Sequence, residues 1–240
     1  MNLMKWERLI NMQKIKWNKL YDYPKSVRSL INDERHYEVG NEKLPSVTTI
    51  LSATEPAEKR ASLAKWRARV GNEEAERIRI NSTDRGTRMH SILEGYLLDK
   101  PILDATENGA EAHRMARAII DQGLGDLSEI NGSEAVLYYP DLYAGSSDLV
   151  GVYQGRDSII DFKTSGKPRK DEYNDGYYLQ GVAYLEAHNQ VYGSDLDQVV
   201  LLCVTPDCFV QKFVLNGARL RQYKWEWLKR VDEFYKNRNK

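Results

Sequence analysis

The sequence predicts an α/β protein in which a mixed sheet is flanked by helices and preceded by a helical front. Two observations predict this class. Residues 58–122 carry apolar side chains at helical spacing, whereas residues 134–163 alternate in three short runs that tight turns separate. A helical segment then divides this meander from two further strands. At 240 residues the chain is long enough for one sizeable domain and too short for two large ones.

The N-terminal half is predicted to form one hairpin and three helices. The hairpin pairs residues 37–39 with 44–48 around Gly40-Asn41. The helices cover residues 58–80, with a break at Gly71, then 86–98 and 109–122, the last ending at Gly123.

The C-terminal half is predicted to form the sheet and its remaining helices. Its elements are strands at 134–139, 143–153 and 158–163, a helix around 177–187, strands at 199–204 and 209–215, and a helix at 219–237. We expect a single domain, made of an N-terminal extension with the hairpin (1–57), a helical cover (58–125) and a core (133–240).

Asp148, Asp161 and Lys163 carry the strongest chemical signal in the chain. A hairpin with its turn at residues 155–157 brings the two carboxylates face to face, and the period of two places Lys163 on the side of Asp161. One or two carboxylates are what proteins offer to Mg²⁺ beside a substrate phosphate. A neighbouring lysine then orients or deprotonates the attacking water. The alternative is a chance Asp-x-Lys.

Two helices bring further polar residues. Gln180 and Tyr184 are one turn apart on one face of the helix that follows the meander. His90 lies at the edge of an apolar stripe that includes Met89 and Leu93. A lone histidine at such an edge more often packs in a core than binds a ligand, so both interpretations stay open on spacing alone.

Taken in order, these residues form four motifs: Gly86-x3-His90, Gly145-x2-Asp148, Asp161-x-Lys163 and Gln180-x3-Tyr184. The set resembles the RecB-like branch of the PD-(D/E)XK nuclease superfamily, whose core is restriction-endonuclease-like. Residues 44–51, 85–90 and 160–165 further resemble the mitochondrial genome maintenance exonuclease family and its phage relatives. The motifs span residues 44–184, and Ser147 stands where the superfamily name has a proline.

The resemblance implies a metal-dependent exonuclease that acts on DNA in replication, recombination or repair. Lys163 would activate the water or clamp the phosphate, and Gln180 and Tyr184 would position Lys163 or a DNA phosphate. Glu134 stays open between a contribution to the metal site and a plain edge-strand charge. The implied ligands of Mg²⁺ or Mn²⁺ are His90, Asp148, Asp161 and the backbone carbonyl of Phe162.

Local basic segments predict contact with nucleic acid, although the formal net charge of the chain is zero. Residues 163–170 carry four basic side chains and no acidic one. Of these, Lys167, Arg169 and Lys170 are predicted to contact phosphates without reading sequence. Trp66 lies on a basic helix and suits base stacking on a single strand, with packing in the core as its alternative.

Several classes are excluded on composition. Cys203 and Cys208 are the only cysteines, whereas a cubane iron–sulfur cluster needs four. No apolar run approaches 18 residues, so no membrane span is expected. The first 20 residues are charged and lack the apolar segment of a secretory signal. We therefore predict a cytoplasmic protein of a bacterium or a phage-infected cell, with a mitochondrial location as the minority alternative because the N-terminal segment is basic.

The helical cover predicts a preference for single-stranded DNA with a free end, because a narrow passage admits a flexible strand. No segment has the character of a major-groove reader. Two alternatives remain: a structure-selective endonuclease on the same fold, and a non-catalytic nucleic-acid-binding protein on a decayed nuclease fold.

Overall fold

The computed structural model describes residues 15–238 and contains a mixed six-stranded sheet, in the order β1-β5-β6-β7-β8-β9. Neighbouring strands are antiparallel except for the parallel pairs β1–β5 and β7–β8. The predicted class, a mixed sheet flanked by helices, is confirmed. The strands are β1 (Lys16–Trp17), β5 (Leu127–Tyr139), β6 (Tyr143–Tyr153), β7 (Arg156–Thr164), β8 (Gln198–Val204) and β9 (Val210–Asn216).

A second, three-stranded sheet consists of β2 (Ser26–Ile31), β3 (Glu34–Val39) and β4 (Glu42–Pro45). The β3–β4 hairpin agrees with the prediction at Gly40-Asn41. The β2–β3 turn has both Asn32 and Asp33 in the left-handed region, at φ of 52° and 62°, which is the type I′ geometry that suits a two-residue hairpin. That pair was a turn signal that the sequence analysis missed.

The strand predicted to reach Thr48 ends at Pro45, because a helix starts there instead. Ser46 caps α1 (Val47–Ala53), and its hydroxyl accepts the backbone N–H of Thr49 at 2.9 Å. Val-Thr-Thr-Ile has the β-branched character of a strand. The capping hydrogen bond and the burial of Val47 and Ile50 outweigh it.

Gly71 separates α2 (Ala57–Val70) from α3 (Asn72–Leu97). Its φ of 90° and ψ of 151° lie in a region that is essentially restricted to glycine, so the predicted break is confirmed. The predicted gap between residues 80 and 86 is wrong, because α3 runs through it. The poor helix formers there are supported by side-chain bonds such as that from Arg88 Nε to Asp84, at 2.9 Å.

Three more helices complete the fold: α4 (Glu107–Gln122), α5 (Asp175–Tyr192) and α6 (Gly217–Arg238). One apolar core lies between the sheet and α1, α5 and α6. The other lies between the opposite face of the sheet and α3 and α4. The helix α5 connects the parallel strands β7 and β8. Helices thus pack on both faces of the sheet that carries the predicted site residues.

Candidate active site

The site begins where β6 and β7 part. The last pair in their ladder is Leu149 with Ile160. One residue further along β6, the Asp148 side chain takes the place of a backbone partner, and its Oδ2 accepts the Phe162 N–H at 2.7 Å. The divergence opens a notch in the sheet, and it directs the Asp148 carboxylate into that notch.

His90 and Glu134 reach the same notch from two other elements. The Nδ1 of His90 on α3 lies 3.2 Å from Asp148 Oδ1. Ligand atoms of His90, Glu134 and Asp148 all lie within 4.8 Å of one another. An imidazole and two carboxylates at such separations can share one cation. In the described part of the chain, no other three His, Cys, Asp or Glu side chains bring their ligand atoms this close together.

Glu134 reaches the notch through an unusual backbone. It lies within β5 between Ser133 and Ala135, whose partners Leu149 and Ser147 flank Asp148 on β6, and its φ is +48°. A non-glycine residue in this region costs of order 1–3 kcal/mol and persists only where its surroundings enforce it. Its carboxylate accepts the Ser146 hydroxyl at 3.1 Å. The role of Glu134 is open on sequence alone, and in the structure its carboxylate lies beside His90 and Asp148.

Asp161 and Lys163 form a buried ion pair beside this cluster, with Lys163 Nζ 2.5 Å from Asp161 Oδ2. Their side chains are 5% and 17% exposed, so solvent screens the pair little. Asp161 was predicted as a ligand together with Asp148. The structure turns its carboxylate towards Lys163, whereas His90 and Glu134 flank Asp148.

The two aspartates differ in pKa. Burial raises the pKa of Asp161 to about 6, although Lys163 opposes that shift. Burial acts on Asp148 in the same sense, but the neighbouring His90 overcomes it and holds the pKa of Asp148 below its ordinary value. Burial also raises the pKa of Glu134, and the charge on Asp148 adds to that effect.

The two basic groups hold their protons more strongly than usual. Burial disfavours the charged form of His90, but the adjacent Asp148 raises the pKa of His90 above its ordinary value. Burial likewise opposes the charge on Lys163, and Asp161 and Asp148 together raise the pKa of Lys163. Lys163 is therefore an ammonium ion at neutral pH.

The helix α5 supplies the floor beneath Lys163. The Lys163 ammonium lies over the ring of Tyr177, 5.0 Å from its centroid, which is a favourable cation–π distance. Gln180 donates to the Tyr184 hydroxyl at 3.0 Å, so these two predicted residues bond to each other. Tyr184 packs under β6 because Gly145 leaves room: a Cβ at residue 145 would lie 2.5 Å from its ring. Tyr177 was missed, since three residues before Gln180 it belongs to no motif.

The predicted phosphate-binding residues differ in their surroundings. The Arg169 guanidinium stacks on Tyr177 at 4.9 Å and donates to Asn174 Oδ1 and to the Tyr173 carbonyl. It braces the segment that follows β7. Lys170 is exposed and lies 3.8 Å from Glu172. Lys167 and Trp66 line one open cleft of about 800 Å³ between α2 and this segment.

Phe162 contributes to the site through its backbone and to the core through its ring. The ring is 2% exposed and meets the His90 imidazole edge-on, with the ring centroids 6.2 Å apart. It therefore braces His90 against β7. The arrangement as a whole collects three carboxylates, one imidazole and one ammonium in a single notch, a donor set suited to a hard divalent cation next to a phosphate.

Carboxylates on neighbouring strands with a lysine beside them form the arrangement that the sequence motifs predicted. No protein-family model matches the chain. By sequence, the chain is related to mitochondrial genome maintenance exonuclease 1, with 29% identity to the mouse protein over 206 residues and 26% to the human protein over 202. The predicted resemblance is confirmed.

These matches cover 80% of this chain and 59% and 58% of the two relatives. The chain thus spans about three fifths of the length of the relatives it matches. Their names are mitochondrial, which agrees with the minority prediction of location and does not support the cytoplasmic one. The basic segment behind that prediction lies mostly in residues 1–14, outside the described residues.

Solved structures give weaker matches. An inferred exonuclease from Eubacterium rectale has a TM-score of 0.45 and 19% identity, with 64% of each chain covered. An alkaline exonuclease from Laribacter hongkongensis has a TM-score of 0.30 and 15% identity, covering 64% of this chain and 82% of its own.

Proposed function

We propose that this chain is a metal-dependent nuclease that hydrolyses phosphodiester bonds of DNA as an exonuclease. The observation that supports it best is the convergence of His90, Glu134 and Asp148 beside the Asp161–Lys163 pair. The relatives named exonucleases support the same reaction. We further propose that the chain forms a single nuclease domain, made of an N-terminal extension (1–57), a helical cover (58–125) and a core (133–240).

The residues of the notch fit Mg²⁺ or Mn²⁺, because oxygen donors and one imidazole suit these ions. His90, Glu134 and Asp148 would hold the ion, and Asp161 would join them once substrate or metal draws it from Lys163. The Phe162 carbonyl is proposed as a further donor. When bound, the ion supplies charge stabilisation at the phosphate and a more acidic water.

Lys163 is proposed to clamp the scissile phosphate. Its raised pKa keeps it protonated, so of the two roles left open by the sequence, charge stabilisation is favoured over proton abstraction. Tyr177 beneath it and Asp161 beside it fix the ammonium. A cation held in this way stabilises charge that develops on phosphate oxygens. Gln180 and Tyr184 are proposed to support the floor of the site.

The proposed substrate is single-stranded DNA with a free end. Lys167 and Lys170 follow the Lys163 strand on an exposed segment and would contact phosphates, and Trp66 faces that segment across the cleft. Arg169 would act by bracing the segment. None of the helices in residues 15–238 combines the length and apolar character that a membrane span requires. A structure-selective endonuclease would use the same notch and is separated from the proposal by the substrate test described in the Discussion.

The proposal is tested by metal dependence. With Mg²⁺ or Mn²⁺ the protein is expected to degrade linear single-stranded DNA, and a chelator should abolish the reaction. Ca²⁺ should allow DNA binding with little cleavage, because its larger, looser coordination positions the water poorly. Labelled oligonucleotides on denaturing gels give the readout. Undiminished cleavage in chelator would refute a metal-dependent reaction, and DNA binding without cleavage in any metal would indicate the non-catalytic alternative.

Metal binding is expected to strengthen as pH rises through about 6. Burial raises the pKa of Asp161 to about 6, and the adjacent Asp148 carboxylate raises the pKa of His90 against the effect of burial, so both keep protons to higher pH than free side chains do. Because the ligand forms are unprotonated, Mg²⁺ binding must displace these protons. Calorimetry at pH 5.5 and 7.5, in two buffers of different ionisation enthalpy, measures affinity and proton release together. Equal affinity at both pH values without proton release would contradict the assignment.

A further inference from the structure

We propose that the cleft between α2 and residues 165–173 is a base-stacking subsite, which holds nucleotides of a single strand next to the scissile phosphate through Trp66 and Tyr173. This inference rests on the proposed function and adds to it where the bound strand lies and which side chains hold its bases. The cleft is an open space of about 800 Å³.

The charge of the cleft suits a polyanion. Four basic side chains and one acidic side chain line it. The acidic one, Glu55, pairs with Lys59 at 2.9 Å. The other three, Lys65, Arg69 and Lys167, have no ion-pair partner among the described residues and are available to phosphates. Three exposed cations on the two walls of one cleft attract the phosphates of a strand, in a way that does not depend on its sequence and that salt screens.

The apolar surface of the cleft suits bases. Tyr173, on residues 165–173, is 64% exposed, while the opposite wall formed by α2 presents Leu63, which is 53% exposed, and the half-buried Trp66. The rings of Tyr173 on one wall and Trp66 on the other form a platform on which any base can stack. Aromatic rings interleaved with cations distinguish this cleft from a surface that would bind an acidic peptide by charge alone.

One wall of the cleft is built in advance. The Arg169 guanidinium donates to the Tyr173 carbonyl, and the backbone of Arg169 exchanges hydrogen bonds with the Gln211 side chain on β9, at 2.7 and 2.9 Å. The Ser165 hydroxyl donates to the Lys167 carbonyl at 2.7 Å. A wall fixed before binding costs less entropy on binding.

One end of the cleft lies close to the start of α5. A Cβ on Gly176 would lie 3.6 Å from Lys59 Nζ, so the end of the cleft meets the start of α5. The next residue is Tyr177, whose ring carries Lys163. On the proposed path the strand would leave the cleft at this end and approach Lys163, next to the notch that holds His90 and Glu134.

The test compares binding of a twelve-residue oligothymidylate with binding of an abasic oligonucleotide of the same length, by fluorescence anisotropy in chelator. Trp66→Leu and Tyr173→Leu are each expected to weaken oligothymidylate binding about fivefold to a hundredfold and to change abasic binding little. Trp66→Tyr should restore most of the affinity. Trp225→Leu is the control for loss of a tryptophan outside the cleft, since Trp225 lies on α6 and is 68% exposed.

Each other outcome overturns the inference. Equal weakening for both oligonucleotides means that the cleft holds only the backbone, and unchanged binding in both variants means that the strand runs elsewhere. A hexaglutamate peptide that binds as tightly, with the same dependence on Trp66, assigns the cleft to a protein partner. Binding in chelator does not depend on hydrolysis, so these failures are separate from failure of the proposed function. No residue of α2 is buried, and circular dichroism verifies the fold of each variant.

Discussion

Asp148→Asn is expected to lower the rate of DNA hydrolysis by more than about a hundredfold, because it removes charge from the centre of the proposed metal site. At such sites even changes to residues behind the ligands cost about 10- to 100-fold. Asparagine keeps the size of the side chain and an oxygen that can accept the Phe162 N–H. It cannot hold His90 by charge. Hydrolysis of a labelled linear oligonucleotide with Mg²⁺, followed at early time points, measures the loss.

Asp157→Asn is the matched control for this substitution. Asp157 is an exposed aspartate near the start of β7, paired in register with Val152 and outside the notch. Its variant should cleave as the unmodified protein does. Asp161→Asn and Lys163→Ala are expected to show losses of the same order as Asp148→Asn. Full activity in Asp148→Asn, with the fold intact by circular dichroism, would remove the notch from consideration as the active site.

Linear single-stranded DNA is expected to be degraded to short oligonucleotides, while closed single-stranded circles of the same sequence are spared. The reason is geometric. A strand that passes between α2 and residues 165–173 and then over Lys163 lies between two walls, and an end enters such a path more easily than a loop. Blunt duplex should also resist, since its bases are not free to stack on Trp66 or Tyr173.

The comparison needs the same sequence in both topologies, with the linear form made by one cut in the circle. Agarose and denaturing gels over one time course give the rates. If circles are cleaved as fast as linear strands, no free end is needed and the endonuclease alternative is favoured. If neither form is cleaved but a branched duplex is, the reaction is structure-selective.

The motif residues were predictable because each lies on an element with clear periodicity. Asp148 and Asp161 lie in alternating strands, and β6 has the predicted bounds of 143–153. The spacing of two between Asp161 and Lys163 dictated their shared face. His90 was placed by its position on a helix that the apolar stripe defined. These are local properties, and the residues lie in one notch of the structure, with Asp161 turned towards Lys163.

Other features depend on contacts between distant residues. The part of β5 before residue 134 includes Ser128, Glu129 and Asn131, whose polar character hid the strand that pairs with β6. The left-handed backbone of Glu134 is imposed by the surrounding sheet. The brace around Arg169 includes Gln211, 42 residues away. No local sequence pattern predicts such distant partners. The sequence therefore predicted that Arg169 contacts the substrate, whereas its hydrogen bonds join it to other parts of the fold.

The exposed helix α2 has a consequence for local stability. It buries none of its 14 residues and joins α3 through Gly71, and the ion pair that spans this joint, Arg67 with Glu76 at 3.7 Å, has both side chains nearly half exposed. Such pairs contribute little, and segments with few buried contacts open at a small fraction of the global unfolding free energy. The helix that we assign to the substrate is thus the one that the cores constrain least. Substitutions on α2 are therefore expected to cost little free energy of folding. Related chains can differ there, and can differ with it in which DNA strands they prefer to bind.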